Sequence, residues 1–96
     1  MARYYARAAT KNADYGFVVC EIGEVNEGGT VYSVNVYRYD DGKMKVGIEK
    51  KYWSARESAY QYSNLGRLSP EVAGAIGPLL VEGSQKVAKF MLTGAF

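Results

Sequence analysis

Histidine is absent from this chain of 96 residues. That removes the usual general base, the usual imidazole metal ligand, and the Ser–His and Cys–His nucleophile pairs. Cysteine occurs once, at Cys20. No internal disulfide is possible, and Val18-Val19-Cys20 reads as a buried strand position where the thiol acts as a small hydrophobe. No apolar run approaches the length of a membrane span. No signal-peptide pattern opens the chain, so the expectation is an intracellular protein without membrane contact. There is no glycine-rich loop ending in Lys-Ser/Thr to cradle a phosphate. The acids are scattered, and Asp40-Asp41-Gly42 is turn chemistry rather than a carboxylate pair. The expectation is a non-enzyme with no catalytic residue, no metal and no cofactor.

Net charge is also small, at +2. Its distribution is less even than its sum. Between Val36 and Arg67 lie seven basic residues (Arg38, Lys43, Lys45, Lys50, Lys51, Arg56, Arg67) against four acids (Asp40, Asp41, Glu49, Glu57). The local balance of +3 exceeds that of the whole chain, so positive charge is concentrated there.

What is present is a single small domain rich in tyrosine and valine. Residues 1–14 carry Arg3, Tyr4, Tyr5, Arg7 and Lys11 among alanines, compatible with a short helix or a basic arm. Residues 15–96 form the domain. Phe17 to Val25 is β-branched and reads as a strand interrupted by Gly23. Asn26 to Gly29 is a turn. In Thr30 to Tyr39, Tyr32, Val34 and Val36 alternate with Ser33, Asn35, Tyr37 and Tyr39, the period of a half-buried strand. Asp40-Asp41-Gly42 closes a hairpin onto Met44 to Trp53. There Met44, Val46 and Ile48 face one way, and Lys43, Lys45, Gly47, Glu49, Lys51 and Trp53 the other. A polar loop over 54–58 leads to a weaker fourth strand, Tyr60 to Leu68.

Ser69-Pro70-Glu71 starts a helix with a hydroxyl cap, a proline at the first helical position and an acid in the first turn. Val72, Ala73, Ile76, Leu79 and Leu80 follow at helical spacing. Gly77-Pro78 predicts a kink, and Gly83-Ser84 predicts the end of one segment and the cap of a second. The fold class is α+β: four antiparallel strands followed by a kinked C-terminal helix.

The second and third strands present Tyr37, Tyr39, Lys43, Lys45, Lys51 and Trp53 on the face opposite Val34, Val36, Val46 and Ile48. Rings interleaved with lysines suit an unpaired nucleic-acid strand, with bases stacked on rings and ammonium groups beside phosphates. The same pattern also fits tyrosines packed beneath a second layer, with lysines serving solubility alone.

The ordered set Tyr32-Ser-Val-Asn-Val-Tyr-Arg-Tyr39, Gly42-Lys43, Val46-Gly-Ile48, Lys51-Tyr52-Trp53 and Leu68-Ser69-Pro70-Glu71 resembles the C-terminal domain of the positive cofactor four family of transcriptional coactivators. Ile22-Gly23-Glu24-Val25 resembles that family's first strand. The resemblance covers roughly residues 20–82. It implies a curved four-stranded antiparallel sheet backed by a helix, pairing of two copies through their helices, and single-stranded DNA in the resulting channels. By position it implies Tyr39, Lys43 and Trp53 on the DNA side. The chain departs from the family in a longer Asp40-Asp41-Gly42 turn. It has Tyr62-Ser-Asn-Leu-Gly66 and Arg67 where the family has a basic segment. The serine- and acid-rich regulatory region is missing, which resembles the compact bacterial and phage members, located in a bacterial or host cytoplasm, rather than the nuclear ones.

The leading expectation is a homodimer that binds single-stranded DNA with little sequence preference in replication, recombination or transcription, alongside proteins of those processes. Its contact residues would be Tyr37, Tyr39, Lys43, Lys45, Lys51, Trp53, Arg56 and Arg67, and its dimer interface Val72, Ile76, Leu79 and Leu80. A protein-interaction module built on the apolar helix, or an RNA-binding module, are the competing expectations.

Overall fold

The computed structural model describes residues 16–96; the basic segment expected over residues 1–14 lies outside the described residues. Four strands, β1 (Phe17–Glu27), β2 (Thr30–Arg38), β3 (Met44–Ser54) and β4 (Ala59–Ser63), precede one helix, α1 (Pro70–Thr93). The strands form one antiparallel sheet in the order β1-β2-β3-β4. This is the α+β meander and helix expected from the alternating pattern.

The turn residues act as their chemistry predicts. Gly28 and Gly42 close the two long hairpins with positive φ, 58° and 83°, a region that glycine enters without a Cβ penalty. Gly23 has another use. The β1–β2 register shifts between Glu21 and Gly23, a bulge that bends the strand. A Cβ at Gly23 would lie 2.9 Å from Leu79 Cδ2, so the missing side chain lets α1 settle on β1.

One face of the sheet is covered by α1. Tyr32 and Val34 meet Val72 and Ile76, with Ile22, Val25, Val46, Ile48, Leu65, Leu68, Leu79 and Leu80 around them. A second cluster joins Val19, Cys20 and Val36 to Met44, Val87 and Phe96. Cys20 is thus a free, buried thiol. Ile76, 1% exposed, is the largest fully buried side chain, and burial of a side chain this size stabilises by about 1.5–3 kcal/mol.

The start of α1 is built as its sequence indicates. The Val72 N–H donates to Ser69 Oγ at 3.2 Å, and the Ser69 hydroxyl donates to Glu27 Oε2 at 2.6 Å, tying the cap to the end of β1. Past its start, α1 differs from expectation at Gly83-Ser84. It runs unbroken through both Pro78 and Gly83-Ser84. One apolar stripe continues on both sides of Pro78, through Val72 and Ile76 and on to Gly83, Val87 and Phe90, and its packing outweighs the lost hydrogen bond. Gly83 is buried, with a would-be Cβ 2.8 Å from Val46 Cγ1, so it marks a close approach to the sheet and not a helix end. The helix stops at Gly94, whose φ of 76° and N–H to the Phe90 carbonyl (2.7 Å) make a left-handed cap.

β4 is also shorter than the expected Tyr60 to Leu68. The chain leaves the sheet after Ser63 because Leu65 and Leu68 are drawn into the core beneath α1, and Gly66 turns with φ 61°. Among the described residues no helix is long and apolar enough to cross a membrane.

Candidate nucleic-acid interface

The face of the sheet away from α1 is set by strand register. Residues directly opposite in an antiparallel pair share a face. Tyr37 faces Lys45, Asn35 faces Gly47 and Ser33 faces Glu49 between β2 and β3. Lys51 faces Tyr62 and Trp53 faces Tyr60 between β3 and β4. Tyr37, Lys45, Lys51 and Trp53 are therefore brought to one surface, as the alternation in the sequence requires.

Each ring has a distinct setting. Tyr39 lies just past the end of β2, and Lys45 Nζ sits 5.1 Å from its ring centroid. Lys51 Nζ is 4.9 Å from the Tyr60 ring. Both are cation–π distances, and both place an ammonium group beside an aromatic surface. Trp53, 54% exposed, meets Tyr60 edge-on with centroids 5.3 Å apart. Trp53, Tyr60 and Tyr62 are exposed large side chains at this end of the face, whereas the exposed Tyr52 belongs to the helix side. Exposed rings of this size usually signal a contact surface, since burial elsewhere would stabilise the fold.

Tyr37 serves the floor of the surface. Its hydroxyl donates to Glu49 Oε2 (3.3 Å) and accepts from Asn35 Nδ2 (3.3 Å). Its ring lies against the backbone at Gly47, where a Cβ would be 2.8 Å from Tyr37 Cε1. Gly47 is thus the seat that lets the ring lie flat across β3. A groove of about 450 Å³ opens here, bounded by Tyr37, Tyr39, Lys45, Glu49, Tyr62 and Asn64 among others.

The remaining expected residues sit apart. Lys43 is in the β2–β3 turn, its backbone N–H on Asp41 Oδ1 (2.9 Å) and its Nζ 3.9 Å from Asp41 Oδ2, so its charge is partly matched locally. Arg56 is exposed in the turn between β3 and β4, and Arg67 is exposed in the segment between Gly66 and α1. Neither is on a strand. Lys50 belongs to the other face, 5.8 Å from the Tyr32 ring.

Tyr60 and Tyr62 escaped the sequence reading, although Tyr60-Gln61-Tyr62 carries the same alternation as β2. Charge is uneven across the face. Lys45 and Lys51 lie on β3, whereas Glu21 and Glu24 lie opposite Asn35 and Ser33 on β1. An anion following the lysines would run along the β3–β4 side. From Lys45 to Trp53 that path is roughly 26 Å, at about 3.3 Å per strand residue.

The four side chains expected at a dimer interface are turned inward. Val72 and Ile76 are 2% and 1% exposed in the chain's own core, and Leu79 and Leu80 pack against it half-buried. At 100° per residue, the opposite side of α1 carries Gly74, Val81, Gln85, Ala88, Met91 and Leu92, with no charge among them. Glu71, Glu82, Lys86 and Lys89 fall on one flank. Val81, Met91 and Leu92 are 58%, 76% and 87% exposed. The tail beyond them folds back, with Phe96 stacked on Phe90 at 4.7 Å.

Among the described residues no group of three or more His, Cys, Asp and Glu side chains is placed to hold a metal ion. No family model, no curated protein and no solved structure matches the chain.

Proposed function

We propose that the exposed β3–β4 side of the sheet face away from α1 binds single-stranded DNA with little regard to sequence. The observation that carries this reading is the pairing of rings with ammonium groups along one side of the sheet: Lys45 with Tyr39, and Lys51 with Tyr60 beside Trp53. A duplex hides its base faces, whereas an unpaired strand offers a π-surface to each ring and a phosphate to each lysine. Stacking of this kind accepts any base. The resemblance to the positive cofactor four family points the same way, toward replication, recombination or transcription.

The active unit in this reading is a homodimer. Its contact is the uncharged outward stripe of α1 around Val81, Ala88 and Leu92, since Val72 and Ile76 are occupied by the sheet. An exposed apolar stripe on a small domain is covered most simply by its own copy about a two-fold axis.

The test is a titration with labelled oligothymidine, duplex DNA and RNA of equal length at two salt concentrations. Oligothymidine should bind more tightly than duplex, with affinity falling steeply as salt rises. Duplex binding of equal strength would overturn the reading, and a marked preference for RNA would transfer it to that nucleic acid.

A further inference from the structure

The sheet face away from α1 is exposed on one half and buried on the other. Trp53, Tyr60 and Tyr62 stand out on the β3–β4 half, whereas Val18, Ser33 and Asn35 on the β1–β2 half are buried, Val18 to 1% exposure. Val18 lies opposite Tyr37. The register shift after it turns Val19 and Cys20 into the core beneath α1 and leaves Val18 outside both core clusters. A fully buried side chain touches about 6–12 others, and an edge strand offers neighbours on one side only. Burial this complete requires cover from above. Among the described residues no helix or strand supplies it. α1 packs on the opposite face. Tyr37 leans away from β1, its ring against Gly47 and its hydroxyl on Glu49, both on β3. The burial exists within one chain, and the part of that chain left to provide the cover is residues 1–15.

We propose that residues 1–15 lie over the β1–β2 half of this face, cover Val18, Ser33 and Asn35, and are guided there by their basic residues toward Glu21 and Glu24. Three observations favour this occupant. The first is where the segment joins the sheet. Gly16 lines the 450 Å³ groove beside Tyr39. A Cβ on Gly16 would lie 2.6 Å from the Arg38 carbonyl oxygen, so the chain enters pressed against the end of β2. The second is reach. Fifteen extended residues span about 50 Å at roughly 3.3 Å each, and about 22 Å even as a helix, against about 20 Å from Val18 to Glu24. The third is charge. Residues 1–15 carry Arg3, Arg7 and Lys11 against Asp14 alone. Glu21 and Glu24 lie opposite Asn35 and Ser33 on this half, whereas Lys45 and Lys51 on the other half repel a basic segment.

The seating does not depend on DNA binding. Its consequence for DNA rests on the proposed function. With the β1–β2 half covered and its acids facing basic residues, the face is no longer an open plate. A DNA strand has one lane, along Lys45, Lys51 and the exposed rings of β3 and β4, with the segment as the wall beside it.

The experiment uses the full chain with a nitroxide spin label on Asn26→Cys, an exposed position at the end of β1, or on Glu82→Cys, exposed on α1. Cys20 is buried and stays unmodified in the folded protein. Without nucleic acid, the Asn26 label should lower the amide signals of part of residues 1–15 several-fold, and the Glu82 label should leave them unchanged. Full intensity throughout 1–15, or equal loss from both labels, would overturn the seating. So would loss arising between chains, seen in a mixture of isotope-labelled and spin-labelled copies. Glu21→Lys with Glu24→Lys should return most of the intensity. Adding Arg3→Glu, Arg7→Glu and Lys11→Glu should remove it again, which also shows that the variants fold. An unaltered pattern after the first reversal, or no second loss, would overturn the charge-guided seating. Oligothymidine titration of the unsubstituted chain separates the two readings. Signal loss without binding removes the proposed function alone, and binding with full signals from residues 1–15 removes this seating alone.

Discussion

Trp53 is more than half exposed and lies outside both core clusters, meeting Tyr60 in a T-shaped contact. Trp53→Ala should therefore leave the melting temperature nearly unchanged while weakening oligothymidine binding by about 1–3 kcal/mol, the usual loss per stacked base. Fluorescence titration and thermal melting of the same sample check both halves. Unfolding, or unchanged affinity, would assign the indole to packing. The reverse behaviour is expected at Gly83. Alanine is the better helix former by roughly 1 kcal/mol, yet its Cβ would lie 2.8 Å from Val46 Cγ1 and 3.6 Å from Ile22 Cγ1. Overpacking costs about 1–3 kcal/mol, so Gly83→Ala should lower stability in urea unfolding despite the gain in propensity. At this scale strand alternation made Tyr37, Lys45, Lys51 and Trp53 legible, because period 2 follows from backbone geometry alone. Gly47 and Gly83 were not legible. Their meaning lies in which side chain arrives from another element, Tyr37 in one case and Val46 in the other.

At the scale of elements, the sequence predicted the order of strands and the start of α1 well, since Ser69-Pro70-Glu71 and the Gly-containing turns act locally. Local signals failed where tertiary packing opposed them. Gly83-Ser84 suggests two helical segments, but the stripe from Val72 to Phe90 lies against one continuous sheet surface and keeps the helix whole. Pro78 is exposed and removes a hydrogen bond to Gly74 without adding core contacts. A proline inside a helix costs about 3 kcal/mol relative to alanine, while its stiffening of the unfolded chain returns about 0.4–1 kcal/mol. Pro78→Ala should thus raise unfolding free energy by about 2 kcal/mol, read as a higher urea midpoint with an unchanged slope. A drop in stability would mean that the proline at this position is needed to fit α1 to the sheet. β4 illustrates the same competition: the apolar residues Leu65 and Leu68 resemble a continuing strand, but the core under α1 takes them.

At the scale of the molecule, the apolar C-terminal third suggested a surplus of hydrophobic side chains, and part of that surplus is absorbed within the chain. Val72 and Ile76 fill the core, Leu79 and Leu80 rim it, and Phe96 returns to stack on Phe90. Which residues stay outside depended on the phase of one unbroken helix, and the reading of two segments hid that phase. What remains is the uncharged stripe with Val81, Met91 and Leu92 outermost. Two substitutions therefore separate core from interface. Ile76→Asp places a carboxylate at a fully buried position; burying an unpaired charge of this kind costs several kcal/mol, so the variant should lose its circular dichroism signal and not yield a folded monomer. Val81→Glu with Leu92→Glu changes only exposed positions, where substitutions usually move stability by about 0.5 kcal/mol or less. That variant should keep its fold and melting temperature at low protein concentration. In sedimentation velocity it should run as a monomer at micromolar concentration, while the unsubstituted chain runs as a dimer. If pairing through α1 lengthens the surface offered to one DNA strand, the folded monomer should also bind long oligothymidine more weakly than the unsubstituted dimer and bind short oligomers equally well. Identical masses for the two proteins would exclude the outward stripe as the interface, and identical affinities for long strands would exclude a shared binding surface across it.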